Sequence, residues 1–239
     1  MKRVFLLLMV CLFSYPLPAQ SPMEQGESLY RQGKFSAALN EYETALRNYP
    51  NNPFVYYNIG NCYFKMGSRG LATANYYRAF RLAPRDSDIR HNLALALETS
   101  GERWIPSGVP VILHQAFFYL SYGELKGLTY LLFWLACACV LVCLLRRKWN
   151  FLATLACILV LLSAGWLLAR ARLEQENLAV VAVPVAEVRS GPGTNFPASA
   201  NVSQGHLVTV SDTKDAWDEV IISSQGLKGW IEKDALEKI

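Results

Sequence analysis

The order of apolar and polar positions divides the chain into three regimes. Between Gly127 and Leu145, and again between Phe151 and Ala169, nineteen consecutive residues carry no charge. About 20 apolar residues rising ~1.5 Å each cross the ~30 Å hydrocarbon layer of a bilayer. A core helix of a soluble protein would show breaks, alternation or a polar face, and neither run has one. The pattern predicts transmembrane helices at 127–145 and 151–169, joined by a loop at 146–150. They separate an N-terminal arm with helical periodicity from a C-terminal arm of short β-type runs.

In the N-terminal arm, residues 20–103, the pattern repeats with a period of 34. Gly26, Gly60 and Ala94 are each 34 apart, as are Gly33, Gly67 and Gly101. Ala38 pairs in the same way with Ala72, Tyr42 with Tyr76, Ala45 with Ala79 and Pro50 with Pro84. Self-similarity at this period predicts a solenoid of helix pairs. The first small residue admits a close helix crossing, the second Gly ends a helix in a left-handed cap, and Pro stops the next helix. Two full units are followed by DIRHNLALALETSGER, the first helix of a third, expected to cover repeat two.

The C-terminal arm, residues 178–239, alternates LAVVAV, AEV, HLVTV, EVIIS and GWIE with the turn sequences SGPGTN, SQG, DTKD and SSQG. Several short strands in about 60 residues predict a small antiparallel barrel. Between the arms and the spans lie a linker and interfacial segment at 104–126 and a charged exit at 170–177. Phe117, Phe118, Tyr119 and Tyr122 suit headgroup depth, and His114 reads as a structural polar residue. A third span within 109–126 is the alternative.

Charge then sets the orientation. Arg146, Arg147 and Lys148 place the short loop in the cytoplasm, so two crossings put both arms outside it. Lys2 and Arg3, the apolar run Val4–Phe13 and SYPLPAQ have the layout of a secretory signal, 1–19, cut after Ala19. An uncleaved anchor is the alternative, and either exports residue 20 onwards. The expected location is the cytoplasmic (inner) membrane, with both soluble arms in the periplasm.

The formal net charge of +4 comes from the signal and the membrane flanks. Residues 20–104 hold ten Lys/Arg against eight Asp/Glu, and residues 178–239 hold five against eight. Neither arm has the basic face that nucleic acid requires. Of six cysteines only Cys62 lies in an exported arm, so no disulfide framework is expected. Cys137 and Cys139 would sit about 200° apart on a helix, which is packing rather than metal or redox spacing. Nothing resembles HExxH, GxSxG, a P-loop or a Cys-His pair, so neither an enzyme nor a cofactor or metal is expected.

The repeat residues resemble the tetratricopeptide family, most clearly in repeat two at Tyr56, Ile59, Gly60, Tyr63, Ala72, Tyr76, Ala79 and Pro84. Repeat one is weaker, with Pro22 and Leu29 in place of aromatics. The resemblance implies a concave groove lined by Glu27, Tyr30, Arg31, Tyr57, Asn61, Phe64, Lys65, His91, Leu95 and Glu98. Interleaved aromatic and charged residues suit an extended or helical peptide, although these aromatics can equally serve as packing between helices. The carboxylate clamp of some family members is not rebuilt, because Met23 and Glu27 stand at its first-helix positions.

VRSGPGTN at 188–195 and GLKGWIEKDAL near the end resemble a bacterial SH3 domain. Trp217 and Trp230 are its candidate ligand surface for peptide or peptidoglycan stem peptides, with core packing as the alternative. Arg189 reads as a donor that fixes the turn. Signal, repeats, two spans and SH3-like domain together resemble the Bat aerotolerance family, in particular its E-type members. That resemblance implies membrane-anchored partners of von Willebrand factor A-domain proteins and a MoxR-type ATPase. The expected fold class is a multidomain membrane protein: an α-solenoid, a transmembrane hairpin and an all-β SH3-like barrel. Two functions follow, a periplasm-facing scaffold that docks proteins in the groove, or a cell-wall sensor or tether acting through the barrel.

Overall fold

The computed structural model describes residues 21–106, 108–145 and 150–239. The signal segment and the loop residues Arg146, Arg147 and Lys148 lie outside these. The repeat arm forms α1 (Pro22–Arg31), α2 (Phe35–Asn48), α3 (Pro53–Lys65), α4 (Arg69–Leu82) and α5 (Ser87–Glu98). Their starts are written locally. Ser21 and Glu24 form a capping box, Asn52 caps α3 ahead of Pro53, and the Asp86 carboxylate accepts from the amides of Asp88 and Ile89 at 3.0 Å.

Gly33, Gly67 and Gly101 end helices at φ of 75°, 80° and 77°, the left-handed caps that the period implies. Gly26 and Gly60 act by close approach. A Cβ on either would stand 2.7 Å from the ring of Tyr42 or Tyr76 respectively. The buried interior of the arm forms two clusters: Ala38, Tyr42, Ala45, Val55, Ile59 and Cys62 fill repeat one and its junction. Ala72, Tyr76, Ala79 and Phe80 pack against Ile89, Leu93, Ala96 and Leu97, so α5 does cover repeat two.

Next come α6 (Val111–Phe117), α7 (Tyr122–Leu145) and α8 (Asn150–Gln175). The stretches Tyr122–Leu144 and Asn150–Gln175 are long and apolar enough to cross a membrane. Ser121 and Glu124 cap α7 reciprocally, the Ser121 amide donating at 2.9 Å, so this helix begins upstream of the uncharged run. At the far end α8 continues through the charged exit to Gln175.

Two of the four aromatics expected at headgroup depth make contacts within the fold. Phe118 packs on Phe80 at 5.7 Å, and Phe117 lies under the Arg170 guanidinium. The apolar surface left exposed there is Val111, Ile112 and Leu113 instead. Phe117 and Phe118 turn inward because buried Arg170 gains the Phe117 and Leu120 carbonyls at 3.2 Å by holding this corner.

The C-terminal arm is a seven-stranded antiparallel sheet of β1 (Leu178–Val181), β2 (Val185–Arg189), β3 (Ala198–Ser203), β4 (Leu207–Lys214), β5 (Trp217–Ile222), β6 (Leu227–Glu232) and β7 (Leu236–Lys238). The order is β3-β2-β6-β5-β4-β1-β7, around one core that includes Val181, Val188, Val208, Val220 and Ile231. The expected closed barrel is not reached, since β3 and β7 end the ladder without pairing. The physical reason lies at β7, where the Lys238 carbonyl takes its hydrogen bond from Arg78 of α4 rather than from a strand. Thus the two arms are not separate: α4 packs on β1 and β7.

Candidate functional site

The three unit-starting helices carry the residues that the family resemblance assigns to the groove. Glu27, Tyr30 and Arg31 come from α1, Tyr57, Asn61, Phe64 and Lys65 from α3, and His91, Leu95 and Glu98 from α5. A pocket of about 280 Å³ brings six of them together: Tyr30, Tyr57, Asn61, Phe64, Lys65 and Leu95. The other four stay outside it. Glu27 and Arg31 are exposed and paired to each other at 2.6 Å, while His91 and Glu98 are exposed on α5.

Two residues not expected from the sequence complete the pocket, Tyr76 and Asn92. The Tyr76 hydroxyl donates to Asn61 Oδ1 at 2.8 Å. Asn92 Nδ2 donates to the same oxygen at 3.0 Å and to the Tyr57 hydroxyl at 3.1 Å. The Tyr57 and Tyr76 rings lie 5.9 Å apart. Burial pushes both phenols above their ordinary range, so each stays a neutral donor. The Asn61 side chain is also hydrogen-bonded to the Tyr57 phenol, so Asn61, Tyr57, Tyr76 and Asn92 form one polar cluster in the pocket. Amide donors between aromatic walls suit the carbonyls and side chains of a bound polypeptide.

Tyr76 had been legible only as a space-filler of the repeat. Asn92 carried a signal that could have been followed. It stands 34 residues after Asn58 and one helical turn before Leu95, the repeat equivalent of Asn61. Cys62 is fully buried, and burial pushes its thiol up to about 11, which removes it as a nucleophile near neutral pH.

On the sheet, Trp217 pairs with Glu232 and Trp230 with Glu219, which sets the two indoles on a diagonal across β5 and β6. The structure separates their roles. Trp217, 8% exposed, lines a pocket of about 440 Å³ with Glu187, Arg189, Glu232 and Asp234, whereas half-buried Trp230 does not line it. Arg189 fixes the turn as expected, donating to the carbonyls of Thr194 at 3.1 Å and Phe196 at 2.6 Å. Among the described residues no group of three or more His, Cys, Asp or Glu is placed to hold a metal ion.

A family profile described as TPR repeat matches residues 26–67, and one described as Tetratricopeptide repeat matches residues 55–86. The chain thus carries tetratricopeptide repeats, which typically serve as protein-interaction modules rather than catalysts. Tetratricopeptide repeat protein 16 of Homo sapiens and of Macaca fascicularis are each 32% identical over 72 residues, 30% of this chain. The chain spans only 8% of the length of these curated relatives. Among solved structures, it is similar to the first TPR of Spaghetti (RPAP3) bound to HSP90 peptide SRMEEVD. That match has 21% identity and a TM-score of 0.31, covering 34% of this chain and 68% of the other.

Proposed function

We propose that this protein is a membrane-anchored scaffold that holds a partner polypeptide in the repeat groove. One observation carries the reading: the groove centre is an aromatic pocket built around a polar cluster of Asn61, Tyr57, Tyr76 and Asn92. The two long apolar helices anchor it in the cytoplasmic membrane, and the expected signal with the Arg146–Lys148 loop puts both arms in the periplasm. The resemblance to the Bat aerotolerance family supplies the partner class, von Willebrand factor A-domain proteins acting with a MoxR-type ATPase in aerotolerance or envelope stress. The C-terminal sheet is read as an SH3-like domain on its VRSGPGTN and GLKGWIEKDAL segments.

A second reading has its own observation. The Trp217 pocket, with Glu232 and Asp234 on its rim, would serve a wall sensor or tether that takes peptidoglycan stem peptides. Capture of a co-expressed von Willebrand factor A-domain Bat protein separates the two. Tyr57→Ala with Phe64→Ala abolishes capture if the groove docks the partner, since buried aromatic anchors dominate such contacts. The double change Glu232→Gln and Asp234→Asn leaves it intact. Capture lost only in the sheet variant overturns the scaffold reading in favour of the tether.

A further inference from the structure

The face of α4 opposite the groove differs from that of its repeat equivalent α2, and the difference points to a partner within the chain. Where α2 has Ser36, Asn40 and Glu43, α4 has Gly70, Ala74 and Tyr77. Gly70 and Ala74 are buried, as is Thr73 beside them. A Cβ at Gly70 would collide with the Val181 carbonyl oxygen of β1 and stand 2.9 Å from Ala182 Cα. From the other side, a Cβ at Gly205 would collide with Ser100 Oγ. Each arm thus has a glycine notch shaped to the backbone or side chain of the other.

Polar contacts ring this apolar centre. Arg78 meets Glu237 at 2.5 Å, Arg81 donates to the Ile239 carbonyl at 3.3 Å, and Ser224 donates to Glu102 at 2.6 Å. The hairpin joins at the same end of α4. Arg81 pairs with Glu174 near the end of α8, and Arg85, just past α4, pairs with Glu124 at the start of α7 at 2.5 Å. Both open ends of the hairpin therefore meet the repeat arm, and only Glu176 and Asn177 separate α8 from the sheet.

We infer that the repeat arm and the C-terminal sheet are one folded body, so the chain crosses the membrane an even number of times between them, with both arms on the same side. The inference rests on the membrane reading of α7 and α8 but not on the charge of the loop between them. It excludes 111–117 as a third crossing. A seven-residue helix spans about 10 Å, a third of the hydrocarbon layer. Its end is also held at the hairpin's open end, where Trp166 Nε1 donates to the Phe117 carbonyl at 3.1 Å. An odd number of crossings would put Gly70 and Val181 on opposite faces of the bilayer, where the notch could not form.

The full chain in sealed membrane vesicles provides the test. Asn48→Cys in the repeat arm and Ser223→Cys in the sheet, each exposed, are probed with a membrane-impermeant maleimide against the parent protein. Both are labelled from one and the same side if the inference holds, and labelling from opposite sides overturns it. If both label only from the cytoplasmic side, export is refuted while the inference stands. Charge exchange tests the contact itself in purified full-length protein. Arg78→Glu and Glu237→Arg each lower the unfolding midpoint, and together they restore most of the loss; simply additive losses would mean that the arms do not dock there.

Discussion

Helices α2 and α4 hold the same place in successive repeats, yet one is a half-exposed surface helix and the other is enclosed. Both bury Ala, Tyr and Ala at matching positions, Ala38, Tyr42 and Ala45 against Ala72, Tyr76 and Ala79. These three are all that α2 buries, whereas α4 also buries Gly70, Thr73, Ala74, Asn75 and Phe80. The repeat sets the inward face, because each unit must cover its neighbour's apolar stripe. The outward face answers to whatever else lies in the molecule, here the sheet and the hairpin. A repeat that departs from its period on one face only is therefore reporting a contact outside the solenoid.

Substitutions at equivalent positions sharpen this contrast. The largest effect is expected on the shared inward face. Gly60→Leu drives a side chain into the Tyr76 ring, with a loss near the top of the ~1–3 kcal/mol overpacking range, less about 1 kcal/mol regained by removing a helical glycine. Gly26→Leu against Tyr42 should fall similarly, each seen as a lower midpoint in circular-dichroism melts of the full chain. If Gly60 tolerates leucine without a shift, the two helices do not cross there.

The outward face should give unequal results. Gly70→Leu meets backbone that cannot turn aside and should lose about 2 kcal/mol, while Ser36→Leu on exposed α2 should stay within about 0.5 kcal/mol. Equal outcomes would break the comparison. A smaller step follows at the next outward position. Tyr77→Ala should lower the melting point, since its ring packs 6.3 Å from Phe80 against the buried cluster, and Glu43→Ala should leave it in place.

The smallest effect concerns pH. The His114 ring packs 5.3 Å from Trp104 and 4.8 Å from Phe118, and burial holds its pKa below the ordinary 6.5. The unfolded chain binds that proton more readily. Stability from the neutral ring is therefore present above pH 6.5 and is lost as pH falls through the folded pKa. Nuclear magnetic resonance of the ring should give a midpoint below 6.5, and a midpoint above it would place His114 in water or beside a carboxylate.

The sequence by itself determined the period-34 solenoid, its glycine caps, the two long apolar helices and the presence of a strand-rich arm. These depend on spacing along one chain: three residues at interval 34, or nineteen without a charge, carry their physics locally. Six residues of the groove pocket were named through the resemblance of the repeat motif to its family. Tertiary structure alone decided that Asn92 and Tyr76 join Asn61, that Phe117 and Phe118 turn inward around Arg170, and that Arg78 takes the edge of β7 in place of a closing strand. The partners in these contacts come from elements remote in sequence, and a hydrogen bond between residues 160 positions apart leaves no period to read. Gly70 shows the boundary between the two. Its departure from the repeat was visible in the sequence, but its reason, the carbonyl of Val181 lodged in the notch, exists only once both arms are folded together.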